Sequence, residues 1–379
     1  MKLDEIKNIL LILSFLALGL NKFVLYVPLF LLFLILDFKN IVNFKNIKNS
    51  KSFIIFTFLF FSIVPLIVLG HNTLIHPTKS LIVMSFAFLF GGAIFYLNIK
   101  KSKQLLSVYL FGIFAECSII VSASYPKKGY GYGRLWDPFS ETIINSPATS
   151  NLLAITATTA YFLIFNSRRK YNIYMSYLIF ILSLAFAVYL RGRAFFVILS
   201  IGVLITLLLS STRKQIKHQI VLNTFSAALL SLTYFLNKTF AANFLSLTAR
   251  FSQGLGSSGR GEILKSGFSL MLTHPFGGFS QDSKTVATQW FHNFWIDSAR
   301  VAGWIPIMLF ILSYTYLLRR CWRSIFTRKH ILYKFLISLA LITMSQDVII
   351  EGNFRVYLIL FLASLPLLHE EVITQRYTK

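Results

Sequence analysis

The sequence predicts an all-α polytopic membrane protein, and three observations carry that prediction. Hydrophobic residues make up 56% of the chain and the mean hydropathy is +0.68, above the range of soluble domains. The apolar residues also gather in runs of about 15–20, the length a helix needs to cross a bilayer. Finally, the basic residues alternate between successive gaps, as the positive-inside bias requires.

Taken in order, apolar segments fall at 8–20, 23–37, 53–70, 81–98, 104–122, 147–166, 172–190, 194–210, 220–236, 294–317, 331–350 and 356–368, giving about twelve expected transmembrane helices. The first two and the last are short and either tilt little or extend into their flanks. With the N-terminus inside, the inner gaps hold Lys2 and Lys7; Lys39, Lys45, Lys48 and Lys51; Lys100, Lys101 and Lys103; Arg168, Arg169 and Lys170; and Arg213, Lys214 and Lys217. Arg319, Arg320, Arg323, Arg328 and Lys329 fill the last inner gap. Both termini are therefore expected inside. Lys2 and Lys7 lead into an apolar run without a small-residue cleavage site, so no cleavable signal is expected. There is no tandem repeat or linker, and the chain reads as one membrane domain over 1–379 with a long outer interval at 237–293.

The formal net charge is +24. In a soluble protein that balance suggests nucleic acid, but here much of it sits in inner loops, so no nucleic-acid partner is expected. Cys117 and Cys321 fall on opposite sides of the membrane in this topology and are not expected to pair.

The informative charges are those that break the inside rule. Lys127, Lys128 and Arg134 lie in the outer loop 123–146, among Tyr125, Tyr130, Tyr132 and Trp136. Arg191 and Arg193 sit between two spans with almost no loop, and Lys238, Arg250, Arg260, Lys265 and Lys284 lie in the long outer interval. An arginine at a boundary often only snorkels. Placing one at hydrocarbon depth costs about 2.5–3.5 kcal/mol, and a guanidinium fork suits a phosphate, so Arg193 above all, with Arg191, is a candidate anion ligand. Aromatic rings among basic residues suit a sugar beside a phosphate, or equally an interfacial loop. A phosphate-bearing lipid is the natural partner for this surplus.

The long interval carries three motifs. Ser257-Ser258-Gly259-Arg260-Gly261-Glu262 reads as a tight turn opening a short amphipathic helix over 262–273. Arg260 then stands at a helix N-terminus that already favours anions, and Glu262 either complements that terminus or orients Arg260. His274-Pro275-Phe276-Gly277-Gly278 reads as a helix stop, with His274 structural. Trp290-Phe291-His292-Asn293-Phe294 leads into the tenth span; an unperturbed imidazole ionises near neutrality, so a histidine at 292 suits taking or giving a proton there, while Asp297 and Arg300 are spaced to pair on one helix face. No P-loop, GxSxG, HExxH or early acidic DxD pair is present, which argues against an ATPase and against a metal-dependent transferase.

An arginine in a short outer turn, a long outer loop with Ser-Gly-Arg before an amphipathic helix ending His-Pro-Phe-Gly-Gly, and His-Asn at the next span resemble the O-antigen ligase and O-antigen polymerase superfamily. The resemblance is strongest over 185–310 and elsewhere rests on topology. It implies a GT-C-like, metal-independent, inverting glycosyltransferase of the bacterial inner membrane, without cofactor, whose site faces the periplasm. The donor would be a glycan on undecaprenyl diphosphate, and the acceptor the lipid A-core oligosaccharide for a ligase or a second lipid-linked glycan for a polymerase. By position, Arg193 and Arg260 would grip the diphosphate and His292 would act at the acceptor hydroxyl; Arg191, Arg134, Lys127, Lys128, Glu262 and Asn293 are the further candidate substrate contacts. The pattern leans to the ligase. A lipid-linked oligosaccharide flippase is the rival of another class, although a transporter would show paired halves and charges spread through its spans.

Overall fold

The structure, a computed structural model, describes residues 3–38, 51–61, 82–167, 169–209, 213–252, 260–279, 291–325, 330–346 and 354–377. The fold is mainly helical and divides into two compact units, one formed by Ile113–Arg260 and the other by Met1–Gly112 with Gly261–Lys379. In chain order the helices are α1 (Leu3–Gly19), α2 (Phe23–Leu36), α3 (Lys51–Phe61), α4 (Ile82–Leu97), α5 (Ser102–Ser124), α6 (Ser146–Asn166), α7 (Lys170–Leu190) and α8 (Arg193–Leu209). They continue as α9 (Arg213–Leu236), α10 (Lys238–Ser252), α11 (Arg260–Thr273), α12 (Phe294–Ala302), α13 (Trp304–Ile325), α14 (Ile331–Met344) and α15 (Phe354–Tyr377). Among the described residues, four stretches, Ile99–Ser124, Ser146–Asn166, Lys170–Leu190 and Gln215–Leu236, are long and apolar enough to cross a membrane, and several shorter apolar helices accompany them. These are the elements of a membrane-embedded protein.

Within the Ile113–Arg260 unit, α6 is the central element and packs on α7 and α8. Nearly all of it is buried, including Thr149, Ser150, Asn151, Thr156, Thr158 and Thr159. Thr156, Thr158 and Thr159 bond back to the helix, as Thr158 Oγ1 to Ala154 O and Thr159 Oγ1 to Ile155 O do, so these hydroxyls are satisfied within the packing surface. Small residues let neighbours approach closely; Gly202 of α8 lies directly against the Thr158 side chain. In the other unit the core helix is α15, whose residues from Val356 to Leu368 are buried almost without exception. It packs on α3, α4, α13 and α14, as an all-round apolar helix must.

The structure adds detail to three of these segments. The outer loop 123–146 contains a two-stranded antiparallel ribbon, Leu135–Asp137 (β1) with Thr142–Ile144 (β2), in register Leu135↔Ile144. The interval from 237 begins with the regular helix α10, because Phe240, Phe244 and Leu247 recur at helical spacing and give it one packing face. The segment 294–317 is two helices: Gly303, at φ 71°, ends α12 before α13 starts at Trp304. Only the first part of the 53–70 segment lies within the described residues, through α3.

Candidate functional site

The turn between α7 and α8 is built by three residues with different duties. Arg191 closes α7 in the left-handed conformation, φ 53° and ψ 29°, with its N–H donating to Ala187 O and Val188 O. That position belongs by preference to glycine, and a side chain there costs about 1–2 kcal/mol. Gly192 follows because there is no room for more: a Cβ on it would meet the Ser150 side chain of α6, with Ser150 Cβ at 2.9 Å. Arg193 then begins α8. The fold thus sets two guanidiniums on either side of a glycine pressed onto the central helix.

A third arginine completes the group. The guanidinium of Arg250, near the end of α10, donates through Nη1 to the Arg191 carbonyl and through Nη2 to the Tyr132 hydroxyl at 2.9 Å. It also lies over the Tyr132 ring, 3.9 Å from the centroid. In return Arg193 Nη1 donates to the Arg250 carbonyl at 3.0 Å, and Arg191 Nη1 donates to Ser246 Oγ at 3.2 Å. Ser246 and Arg250 are four apart on α10 and therefore share a face. The partners in these four bonds are neutral oxygens, so the bonds orient the three cations without cancelling their charge.

Beside this group lies the loop that precedes β1. Gly131, at φ 130°, lies beside Tyr189 and Arg191 Nη2, and its N–H donates to Arg134 O. Gly133 N–H donates to Ser146 Oγ at the start of α6. Tyr125 packs on Tyr189, with ring centroids 5.4 Å apart, and Lys127 Nζ lies 3.7 Å from the Trp136 ring centroid. Lys127, Lys128 and Arg134 are exposed. Among the described residues, Ser150 Oγ, Tyr189 Oη and Arg191 Nε are buried polar atoms without a hydrogen-bond partner. Such atoms call for an explanation such as a ligand or an ordered water; these three lie at the cationic turn, while others of the kind, such as Thr57 Oγ1, Tyr161 Oη and Ser226 Oγ, lie elsewhere.

The other candidates lie on a different construction, in the unit that contains α12. His292 is half-buried and left-handed, at φ 55°. Its neighbours hold it there: the Asp297 carboxylate accepts from Phe291 N at 2.8 Å and Asn293 N at 3.1 Å. Asn293 is the N-cap of α12, its Oδ1 accepting from Trp295 N and Ile296 N, while its Nδ2 donates to Ser345 O. Asn293 is thus a buried capping residue, and Asp297 serves the backbone of the His292 corner besides any bond it makes to Arg300. Phe291 joins Ile263, Phe279, Ile296 and Ala299 in one apolar cluster. Gly267 of α11 fits against the Phe291 ring, so α11 rests on the element that carries His292.

The His274-Pro275-Phe276-Gly277-Gly278 motif acts as a clasp. His274 Nδ1 lies 3.1 Å from Leu270 O, closing α11. Gly278 N–H donates to Arg300 O and Trp304 N–H to Pro275 O. Gly277 and Gly303 both have positive φ and touch backbone to backbone; a Cβ on Gly277 would sit 2.7 Å from Gly303 N. The motif therefore fixes α11 against the break between α12 and α13. Glu262 lies exposed in the first turn of α11. Arg260 is the first residue of α11, and Ser257, Ser258, Lys284 and Trp290 lie outside the described residues.

The structure thus brings Arg191, Arg193, Lys127 and the Arg134 backbone into one neighbourhood within the Ile113–Arg260 unit, and places His292, Asn293 and Glu262 in the other unit. Sequence reasoning left Arg250, Ser246, Ser150 and Tyr189 out of the candidate site; only the sidedness of Arg250 in the expected topology hinted at it. Among the described residues no group of three or more His, Cys, Asp or Glu side chains is arranged to hold a metal ion. The chain matches no protein-family model and no curated protein sequence.

Proposed function

We propose that the protein is a membrane-embedded glycosyltransferase that moves a glycan from undecaprenyl diphosphate onto the lipid A-core oligosaccharide, an O-antigen ligase with about twelve spans and a GT-C-like fold. Its site faces the periplasm of the inner membrane. The observation that supports this most is the arginine turn: a guanidinium kept where the backbone favours glycine, beside two more guanidiniums and three unpartnered buried polar atoms. A diphosphate is the ligand such a group suits, because forked donors bind its oxygens in pairs.

The chemistry then needs little covalent help. The acceptor hydroxyl oxygen attacks the anomeric carbon from the face opposite the diphosphate. The new C–O bond forms as the bond to the diphosphate oxygen breaks, and the leaving group takes the electron pair and the negative charge. Arg193, Arg191 and Arg260 stabilise that developing charge, and His292 takes the hydroxyl proton. Lys127, Lys128 and Arg134 attract the anionic donor, and the tyrosines beside them offer surfaces for the sugars.

The test is surface glycan in cells carrying Arg193→Ala, Arg260→Ala or His292→Ala at native membrane levels. Each variant is expected to lose polymer attached to core while long lipid-linked polymer accumulates. Core bearing a single repeat would instead mark a polymerase that joins lipid-linked repeats, and repeats trapped on the cytoplasmic face would mark a flippase. Unchanged core-linked polymer in the Arg193 and Arg260 variants would refute the diphosphate grip.

A further inference from the structure

We propose that Arg250 is a positioning residue for the diphosphate grip, acting through Arg191 and Arg193 without touching the donor; this rests on the function proposed above. Its guanidinium is already committed to two oxygens of the protein, the Arg191 carbonyl and the Tyr132 hydroxyl, and its cationic face to the Tyr132 ring. Holding the Arg191 carbonyl fixes the left-handed residue at the one atom that sets the direction of the turn. Arg193 is held from the other side, because its own guanidinium donates to the Arg250 carbonyl. One residue of α10 therefore receives a bond from one arginine of the turn and gives a bond to the other. Ser246, one helical turn earlier, holds the Arg191 guanidinium itself.

This reciprocal pairing makes α10 the part that aims the turn. Without it, Arg191 would have less to oppose its conformational cost, and two neighbouring cations would repel each other towards solvent. Tyr132 ties the same guanidinium to the loop carrying Lys127, Lys128 and Arg134, so the exposed cations and the turn share one fastening.

The experiment measures binding of undecaprenyl diphosphate to the purified full-length protein. Arg250→Leu is expected to weaken binding by about tenfold or more, and Arg250→Lys, which can still reach the Arg191 carbonyl with one donor, by less. Because Arg250 works through the turn, adding Arg193→Ala to Arg250→Leu should change the affinity by no more than about threefold beyond Arg250→Leu alone. A further loss of about tenfold, or of all detectable binding, would mean that the two arginines act independently and would overturn the proposal. So would native affinity in Arg250→Leu. Should that variant not accumulate, native affinity in both Arg250→Lys and Tyr132→Phe would overturn it equally. If Arg193→Ala alone leaves binding unchanged, the diphosphate reading itself fails; if Arg193→Ala weakens binding while the Arg250 variants do not, only the positioning role fails.

Discussion

Replacing Arg191 by glycine and by alanine separates what its backbone costs from what its side chain supplies. Both substitutions delete the same guanidinium and the same bond to Ser246, so those losses cancel between them. They differ at φ 53°. Alanine keeps the left-handed penalty of about 1–2 kcal/mol, whereas glycine escapes it and instead loses about 0.5–1 kcal/mol through its freer unfolded chain. Arg191→Gly should therefore be more stable than Arg191→Ala by about 0.5–1 kcal/mol, an apparent melting difference of about 1 °C for a chain of this size. Function should not follow stability. A charged hydrogen bond to a phosphate contributes about 1.5–3 kcal/mol, so both variants should bind undecaprenyl diphosphate about 10–150-fold more weakly than the native chain. The assays are thermal unfolding in detergent and lipid-diphosphate binding on the same preparations. Should Arg191→Gly melt below Arg191→Ala, the left-handed assignment is wrong. If Arg191→Gly binds the lipid as the native chain does, the side chain is not there to hold an anion.

Gly192→Ala would drive a methyl into Ser150, with Ser150 Cβ at 2.9 Å, and is expected to cost about 1–3 kcal/mol; a second change, Ser150→Gly, should recover part of that melting temperature, since it removes the opposing group. Asp297→Asn keeps the shape but leaves a weaker acceptor for the N–H groups of Phe291 and Asn293, so a loss of about 1–3 kcal/mol is expected, with transfer activity falling further than stability because the His292 corner loosens. Asn293→Ala removes the cap of α12, which costs about 1 kcal/mol in thermal unfolding, whereas Asn293→Ser should restore most of it. Gly303→Ala strains a φ of 71° and pushes a methyl onto the Phe276 backbone at 2.8 Å; membrane yield and melting temperature should fall more than for Gly261→Ala, where a Cβ meets nothing within 4 Å.

Much of the helical frame was legible because hydropathy is a local property. The expected segments 147–166, 172–190 and 194–210 meet α6, α7 and α8 within two residues at each end. Where the reading failed, a single residue overruled a continuous apolar run: Val301-Ala302-Gly303-Trp304 stays greasy throughout, and only the positive φ of Gly303, held by the Pro275-to-Gly278 clasp, divides it. That clasp joins residues more than twenty positions apart, beyond the reach of any periodicity. Arg250 stood out by its sidedness, but its partners were hidden for the same reason. Its bonds reach back to Arg191 and Tyr132, and a side chain seeking a carbonyl 59 residues away leaves no local trace.

What the sequence could show was a conflict, and the structure locates it. Local propensity and packing agree almost everywhere in a foldable chain, and the exceptions tend to fall at sites kept for something else. Asn21, at φ 55°, is an ordinary left-handed residue, since asparagine tolerates that region. Arginine has no such excuse at 191, one position before a glycine that could have taken the strain had the turn been shifted. The turn cannot be shifted, because Gly192 is already committed to the contact with Ser150. Position 191 is therefore forced to be left-handed by packing, and its side chain is then free to be chosen for chemistry. A cation there, hydrogen-bonded to α10 and flanked by Arg193, is a choice that the proposed diphosphate ligand would explain and that helix termination alone does not.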